Sequence, residues 1–231
     1  MKVEVIATTL TDAKIAARYG ADRLELVTGI QEGGLTPSYG LIEQVVQSVD
    51  IPVNVMVRPH SQSFYYNEDD LQTMLKDIHA IQQIGANGIV IGALTVDDNI
   101  DRGALQRLLT AAGGLDVTFH RAFDNVPDQR EALNVLLAFP QITRVLTSGG
   151  KEKAIHSQPQ IKELVRFTKD THLSILAGHG LTIESLHEFV LATGVTEVHF
   201  GSAVRIDNDN RKRVQGEKLV AIRNVFEEIR R

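Results

Sequence analysis

Residues 19–26 read YGADRLEL, a sequence with the form of a helix-to-strand junction. A glycine stands where a helix has to stop, and a short strand of alternating apolar side chains follows it. The same form recurs as IGANGIVI at residues 84–91 and as TGVTEVHF at residues 193–200. Glycine suits this position because it adopts a positive φ without a steric penalty. We therefore expect three helix-to-strand junctions, with helices ending at Gly20, Gly85 and Gly194.

Between and beyond these junctions, short β-branched runs alternate with stretches of helical apolar spacing along the whole chain. The runs that favour strands are Val3 to Ala7, Arg23 to Leu26, Val53 to Val57, Gly88 to Gly92, Leu115 to His120, Arg144 to Thr147, Leu173 to Ala177 and Glu197 to Phe200. Helix starts are expected at Thr36, Asn67, Asp101 and Thr182, whose side-chain oxygens can accept from first-turn amides.

Strict alternation of this kind predicts an α/β fold, a closed (β/α)8 TIM barrel that forms a single domain over residues 1–231. A parallel sheet of this size, with crossovers of one hand, can close on itself. The alternative is an open doubly wound sheet. The open sheet is disfavoured because no strand is followed by a G-x-G-x-x-G segment that opens a helix.

Composition excludes several classes of function. The net charge is -5, and the basic cluster at residues 211–213 lies among polar residues, so we expect a solvated surface and no nucleic-acid partner. The N-terminal MKVEVIATTL is typical of a strand, and no apolar run has the length of a membrane span, so we expect a cytoplasmic protein without a membrane partner. The chain has no cysteine, which excludes disulfides and thiolate chemistry.

Polar side chains alternate with the apolar ones inside the predicted strands. By this parity the barrel interior receives Glu4, Glu25, Asn54, Arg58, Thr118, His120 and His199. Unpaired charges there would be unfavourable, so we expect Arg58 to lie between carboxylates and the histidines to hydrogen-bond to neighbours. Glu4, low on its strand, is expected to be structural. Arg58, His120 and His199 lie near C-terminal strand ends, where barrel enzymes place their sites.

The loops after the sixth, seventh and eighth strands are rich in small residues. Backbone amides of such loops can approach an anion, and barrels commonly bind phosphate there, although glycines also serve simply to make short turns. The candidate anion-binding residues are Ser148, Gly149, Gly178, Gly180, Gly201 and Ser202. In FHRAFD, at residues 119–124, parity turns His120 inward, whereas Arg121 and Asp124 belong to the following turn and loop.

Several motifs together resemble the CutC family: GADRLEL, PVNVMVRP, VTFHRAFD, RVLTSGG, AGHG and EVHFGSA. The resemblance implies a TIM-barrel fold, a cytosolic location, a homodimer and an association with copper homeostasis. It points to the candidate site residues Glu25, Glu32, Gly33, Gly34, Arg58, His120, Arg121, Asp124, Ser148, Gly149, His199 and Ser202.

Some members of that family carry cysteines where this chain has Ile6, Ala7 and Val27. Since Cu(I) prefers thiolate and thioether ligands, a copper ion here would depend on imidazoles such as His120 and His199, with His60 and His179 as further candidates.

Two functions remain open from the sequence. One is copper binding at the barrel mouth through His120 and His199, with Glu25 as an oxygen ligand or a partner of a ligand. The other is a lyase, isomerase or hydrolase acting on a small anionic or phosphorylated metabolite. In the second, Glu25 or His120 is the acid/base, Arg58 and Arg121 neutralise substrate charge, and Asp124 orients its neighbours. The loop SQSFYYNEDD at residues 61–70 either covers the barrel mouth or forms a subunit contact.

Overall fold

The computed structural model describes residues 1–230, and within this range eight parallel strands form a closed barrel in chain order. The strands are β1 (Lys2–Ala7), β2 (Arg23–Leu26), β3 (Val53–Met56), β4 (Gly88–Ile91), β5 (Asp116–Phe119), β6 (Ile142–Thr147), β7 (Ser174–Gly178) and β8 (Glu197–Phe200). The α-helices are α1 (Leu10–Arg18), α2 (Tyr39–Val46), α3 (Glu68–Ile84), α4 (Arg102–Ala112), α5 (Gln129–Leu136), α6 (Gln158–Thr168), α7 (Ile183–Thr193) and α8 (Gly216–Arg230). The predicted (β/α)8 barrel is confirmed.

The glycine junctions behave as their sequence predicts. Gly85 and Gly194 end α3 and α7 in left-handed conformation, with φ of 88° and 74°. Gly20 follows the last residue of the α1 cap, Tyr19, and has a φ of 104°. At each position the positive φ lets the chain turn from the helix into the next strand.

Three of the predicted helix starts are N-caps. Asn67, Asp101 and Thr182 each accept a hydrogen bond from a first-turn amide of α3, α4 and α7. The prediction for Thr36 is wrong, because α2 begins at Tyr39 with Ser38 as its cap. Thr36 instead holds its loop to the end of β3: its Oγ1 accepts from the Arg58 amide at 2.9 Å and its own amide donates to the Arg58 carbonyl at 3.0 Å.

The strand side chains sort into two sets. Valine and leucine side chains such as Val5, Leu24, Val55 and Val198 are completely buried in the main hydrophobic core, where helices pack against the barrel. The alternate set is largely polar and fills the barrel interior. The barrel therefore places its charged groups inside the strand cylinder, where they contact one another.

No helix within residues 1–230 is both long and apolar enough to cross a bilayer.

Candidate functional site

The lower half of the barrel interior is an ion network that joins side chains of five strands, β1, β2, β5, β6 and β8. Arg23 of β2 contacts the Glu4 carboxylate through Nε and donates from Nη2 to Glu197 at 2.8 Å. Arg144 of β6 contacts Asp116 of β5 and lies 3.5 Å from Glu197. The arginine held between carboxylates is therefore Arg23, not Arg58 as the sequence suggested. All these side chains pair with each other, so this layer stabilises the barrel.

Above that layer lies a chain of three titratable groups. His199 Nδ1 lies 2.8 Å from Glu4 Oε1, and His199 Nε2 lies 3.8 Å from Glu25 Oε2. All three side chains are buried. Glu25 Oε1 has no hydrogen-bond partner within residues 1–230. The imidazole of His199 thus separates a carboxylate that belongs to the ion network from one that does not.

The surroundings shift the pKa values of the two carboxyls, Glu4 and Glu25, in opposite directions. Burial alone would raise the pKa of Glu4, but the charges of Arg23 and His199 outweigh it and hold that pKa at about 2. Burial raises the pKa of Glu25 to about 7, with a further increase from Glu4, although His199 and Arg23 oppose it. Burial would lower the pKa of His199, but Glu25 and Glu4 together raise it. The pKa of Glu25 therefore lies near neutral pH, in the range that suits a general acid or base.

Glu25 and His199 line a cavity of about 680 Å³ at the C-terminal ends of the strands. The residues predicted from the sequence that line the cavity are Glu25, Glu32, Gly33, Gly34, Arg58, His120, Arg121, His179, Gly180, His199, Gly201 and Ser202. Phe64 of the 61–70 loop also lines it, so part of this loop covers the barrel mouth. The cavity brings together the proton-exchanging carboxyl and most of the predicted cationic groups.

Arg58 lines the cavity, and no carboxylate within residues 1–230 forms a salt bridge with it. Its Nη1 donates to the carbonyls of Glu32 at 2.8 Å and Gly34 at 3.1 Å, and its guanidinium stacks 4.8 Å from the centre of the Phe64 ring. Gly34, with a φ of 91°, lets the loop after β2 turn its carbonyls toward the guanidinium. The positive charge of Arg58 is held in place but not neutralised, so it is available to an anion.

His120 is a neutral hydrogen-bond donor. Its Nδ1 accepts from the Ala122 amide at 3.1 Å, which places the ring proton on Nε2. Burial lowers the pKa of His120 to about 3, and the charges of Arg58 and Arg121 add to the effect. A metal ligand needs a free lone pair on Nε2, which this tautomer does not offer. The geometry therefore does not support His120 as a metal ligand and favours it as a donor toward the cavity.

Arg121 and Asp124 form an ion pair, but they contact different parts of the site. Arg121 lines the cavity and donates from Nε to Asp124 at 2.8 Å. The same carboxylate accepts from the amides of Ser148 at 3.0 Å and Gly150 at 3.1 Å. Asp124 thus occupies the donors of the loop after β6 and orients Arg121, as the sequence suggested.

Five predicted site residues do not line the cavity: His60, Asp124, Ser148, Gly149 and Gly178. The amide of Gly149 donates to Thr147 Oγ1 at 2.8 Å, and the amide of Ser148 is held by Asp124. Gly178 leaves room for His199, because a Cβ at residue 178 would lie 3.0 Å from His199 Cβ. The geometry therefore leaves Gly180, Gly201 and Ser202 as the loop residues that can approach an anion.

Some residues of the site were missed by the sequence reasoning. Arg23 shares strand parity with Glu25, and that signal could have identified it as an interior residue. Lys153 and Asn210 line the cavity from the loops after β6 and β8, and no sequence signal marks either of them. His179 was a candidate from the sequence: it has a φ of 71° and lines the cavity, and burial lowers its pKa.

Comparison with known proteins identifies relatives of this chain. A model described as the CutC family matches residues 1–204. A family protein CutC of Pasteurella multocida is 44% identical over 199 residues, which cover 86% of this chain and 81% of the relative. The crystal structure of a putative copper homeostasis protein CutC from Streptococcus agalactiae has a TM-score of 0.82 and 34% identity, covering 86% of this chain and 97% of that one.

More distant structures share the architecture alone. Phosphoribosyl anthranilate isomerase from Thermococcus kodakaraensis has a TM-score of 0.67 at 16% identity, with 97% of this chain and 98% of that one covered. At this identity the likeness extends to the barrel and not to the chemistry, since one fold carries many activities.

Proposed function

This chain belongs to the CutC family, and we propose that it is a barrel enzyme that transfers a proton on a small anionic or phosphorylated metabolite. The observation that carries the proposal is the position of Glu25. Its carboxyl is buried on the wall of the cavity, and its pKa is raised to about 7, where a group can both take and give a proton.

The cations of the cavity support an anionic substrate. Arg58, Arg121 and Lys153 line the cavity, and neither Arg58 nor Lys153 is paired with a carboxylate within residues 1–230. His120 adds a neutral N–H donor. Fixed donors and charges of this kind hold an anion and stabilise negative charge that develops during proton transfer.

The remaining groups tune Glu25. His199 lies between Glu25 and Glu4, so its charge limits how far the pKa of Glu25 can rise. Arg23 holds Glu4 ionised, and Glu4 in turn holds the His199 ring in one orientation. Glu25 exchanges the proton with the substrate, and His199 is a positioning residue.

The test is proton exchange in D2O. A panel of phosphate esters and hydroxy acids is incubated with the protein, and the loss of C–H signals is followed by proton NMR. We expect exchange with wild type and with the exposed control Glu188→Gln, and a loss of about 100-fold or more with Glu25→Gln. The pH profile should have an inflection near the pKa of Glu25. Exchange that survives Glu25→Gln would contradict the proposal.

A second candidate is copper binding, which a different observation favours. Glu4, Glu25 and His199 each offer a ligand atom, and these atoms lie within 4.8 Å of one another. His199 Nδ1 contacts the Glu4 carboxylate, so Nε2, which faces Glu25, is the ring nitrogen that could bind a metal. Metal-bound histidines are commonly held in this way, with the second nitrogen on a carboxylate. Imidazole and carboxylate suit Cu(II), whereas the lack of cysteine disfavours Cu(I).

Copper titration separates this candidate from the enzyme. If copper binds here, calorimetry and electron paramagnetic resonance should report one Cu(II) site that is lost in His199→Gln and retained in His120→Gln. Binding that persists without His199 would remove the candidate. A cytoplasmic location and a homodimer, implied by the family resemblance, complete the proposal and are measured by cell fractionation and light scattering.

A further inference from the structure

A hairpin between β8 and α8 reaches the cavity from a rigid base. Arg205 and Val214 form the bridge that closes it. Arg205 is 1% exposed and donates to Asp12 Oδ2 at 3.0 Å and to the Ile6 carbonyl at 3.0 Å. The Val214 amide donates to the other oxygen of Asp12 at 2.9 Å. The hairpin is thus fixed to the end of β1 and the start of α1.

Asn210 is the residue of this hairpin that lines the cavity. The charged neighbours pair within the hairpin: Arg211 with Asp209 at 2.8 Å, and Lys212 with Asp207. Asn210 takes no part in these contacts, and its Oδ1 is buried without a hydrogen-bond partner within residues 1–230. A buried polar atom without a partner is unfavourable, and a ligand is one of the few explanations for it.

Three other residues of the cavity wall have an unpartnered buried atom. Arg58 Nε and His120 Nε2 are donors, whereas Glu25 Oε1 is an acceptor, as is Asn210 Oδ1. A bare anion offers acceptors alone, so it could satisfy Arg58 and His120 but not Asn210. A ligand that satisfies the whole wall carries an anionic group and also a hydrogen-bond donor.

We propose that Asn210 is a specificity-determining residue that selects a hydroxylated anion, a phosphate ester or carboxylate that also carries a hydroxyl group. The inference rests on the proposed function, because it takes the anion at Arg58 and Arg121 as given. A site that hydrogen-bonds a substrate hydroxyl disfavours the analogue that lacks it, since its own polar group is then left unpaired.

The test compares two phosphates that differ only in hydroxyl groups, glycerol 3-phosphate and n-propyl phosphate. Both are titrated into the full chain and followed by amide chemical shifts. Wild type should bind glycerol 3-phosphate about tenfold more tightly, as expected for one additional hydrogen bond of good geometry. Asn210→Ala should bring its affinity to that of n-propyl phosphate, whose affinity should not change.

Controls keep the two proposals apart. Asn208→Gly alters an exposed amide of the same hairpin at a residue whose φ is already 55°, and it should retain the preference. Asn210→Ser is the second variant; once its melting temperature is shown to equal that of wild type, it should weaken the preference for glycerol 3-phosphate. Arg121→Gln should weaken both phosphates alike. Equal affinity of the two phosphates for wild type overturns the role of Asn210 and leaves the anion site standing, whereas binding of neither phosphate overturns both.

Discussion

Replacing Glu25 by glutamine should stabilise the protein, and the gain should depend on pH. The pKa of Glu25 is raised from 4.5 to about 7, a difference equivalent to about 3 kcal/mol of unfolding free energy. Below pH about 4 the carboxyl is protonated in both the folded and the unfolded chain, so it has no effect. As the pH rises, the unfolded chain releases the proton first, and the stability of the folded state falls until the pH exceeds about 7. Glutamine removes this loss.

The measurement is urea unfolding followed by far-ultraviolet circular dichroism, since the chain has no tryptophan. The unfolding free energy of Glu25→Gln should equal that of wild type near pH 4 and exceed it by about 3 kcal/mol near pH 8. For a chain of this length that corresponds to a melting temperature about 6–12 °C higher. A difference that is the same at both pH values, or a less stable variant at pH 8, would refute the reasoning.

The same substitution at the neighbouring carboxyl is the matched control, with the opposite sign. The pKa of Glu4 is lowered to about 2, so its ionised form stabilises the fold above pH about 4.5 and that contribution is lost as the pH falls toward 2. Glu4→Gln should therefore destabilise the protein at neutral pH by about 3 kcal/mol, and the difference should shrink in acid. Two variants that shift in the same direction at pH 8 would contradict the assignment of the two carboxyls.

Three further substitutions test the packing around the site. Gly92→Ala would place a Cβ 2.5 Å from the His120 ring, so we expect a loss of about 1–3 kcal/mol and a changed imidazole tautomer by nitrogen NMR; an unaltered ring would contradict the contact. Asp124→Asn should destabilise by about 1–3 kcal/mol and speed hydrogen exchange of the loop amides that it accepts from; unchanged exchange rates would argue against that anchor. Arg205→Met removes the cationic partner of the buried Asp12 carboxylate and should destabilise by about 3–5 kcal/mol in urea unfolding, whereas the exposed Arg211→Met should change little; equal losses would refute the role of burial.

The fold could be predicted because its signals are local. A glycine such as Gly85 needs only its own φ to end a helix, and a cap such as Asp101 acts within one turn. Thr36 carried the same cap signal, yet it hydrogen-bonds to the distant Arg58, and the helix begins three residues later. Strand ends also differ by one or two residues, since pairing with neighbours decides them.

The site was predictable only as far as strand parity reaches. Parity turned Glu25, His120 and His199 toward the interior, where the structure has them. It could not give the partner of Arg58, because the two carbonyls come from a loop whose course depends on tertiary contacts. Nor could it show that Asp124 already occupies the amides after β6, since that bond joins residues 24 positions apart.

The pairing of β1 with β8 has a consequence for the newly synthesised chain. Glu4 and His199 are 195 positions apart in sequence, and Arg23 and Glu197 are 174 apart. Contacts of such long sequence separation form late in folding. Until the last strand has left the ribosome and closed the ring, Glu25 lacks the imidazole whose charge lowers its pKa. If Glu25 acts as proposed above, fragments that end before residue 200 should therefore exchange no substrate proton, and the exchange assay would report completed closure of the barrel.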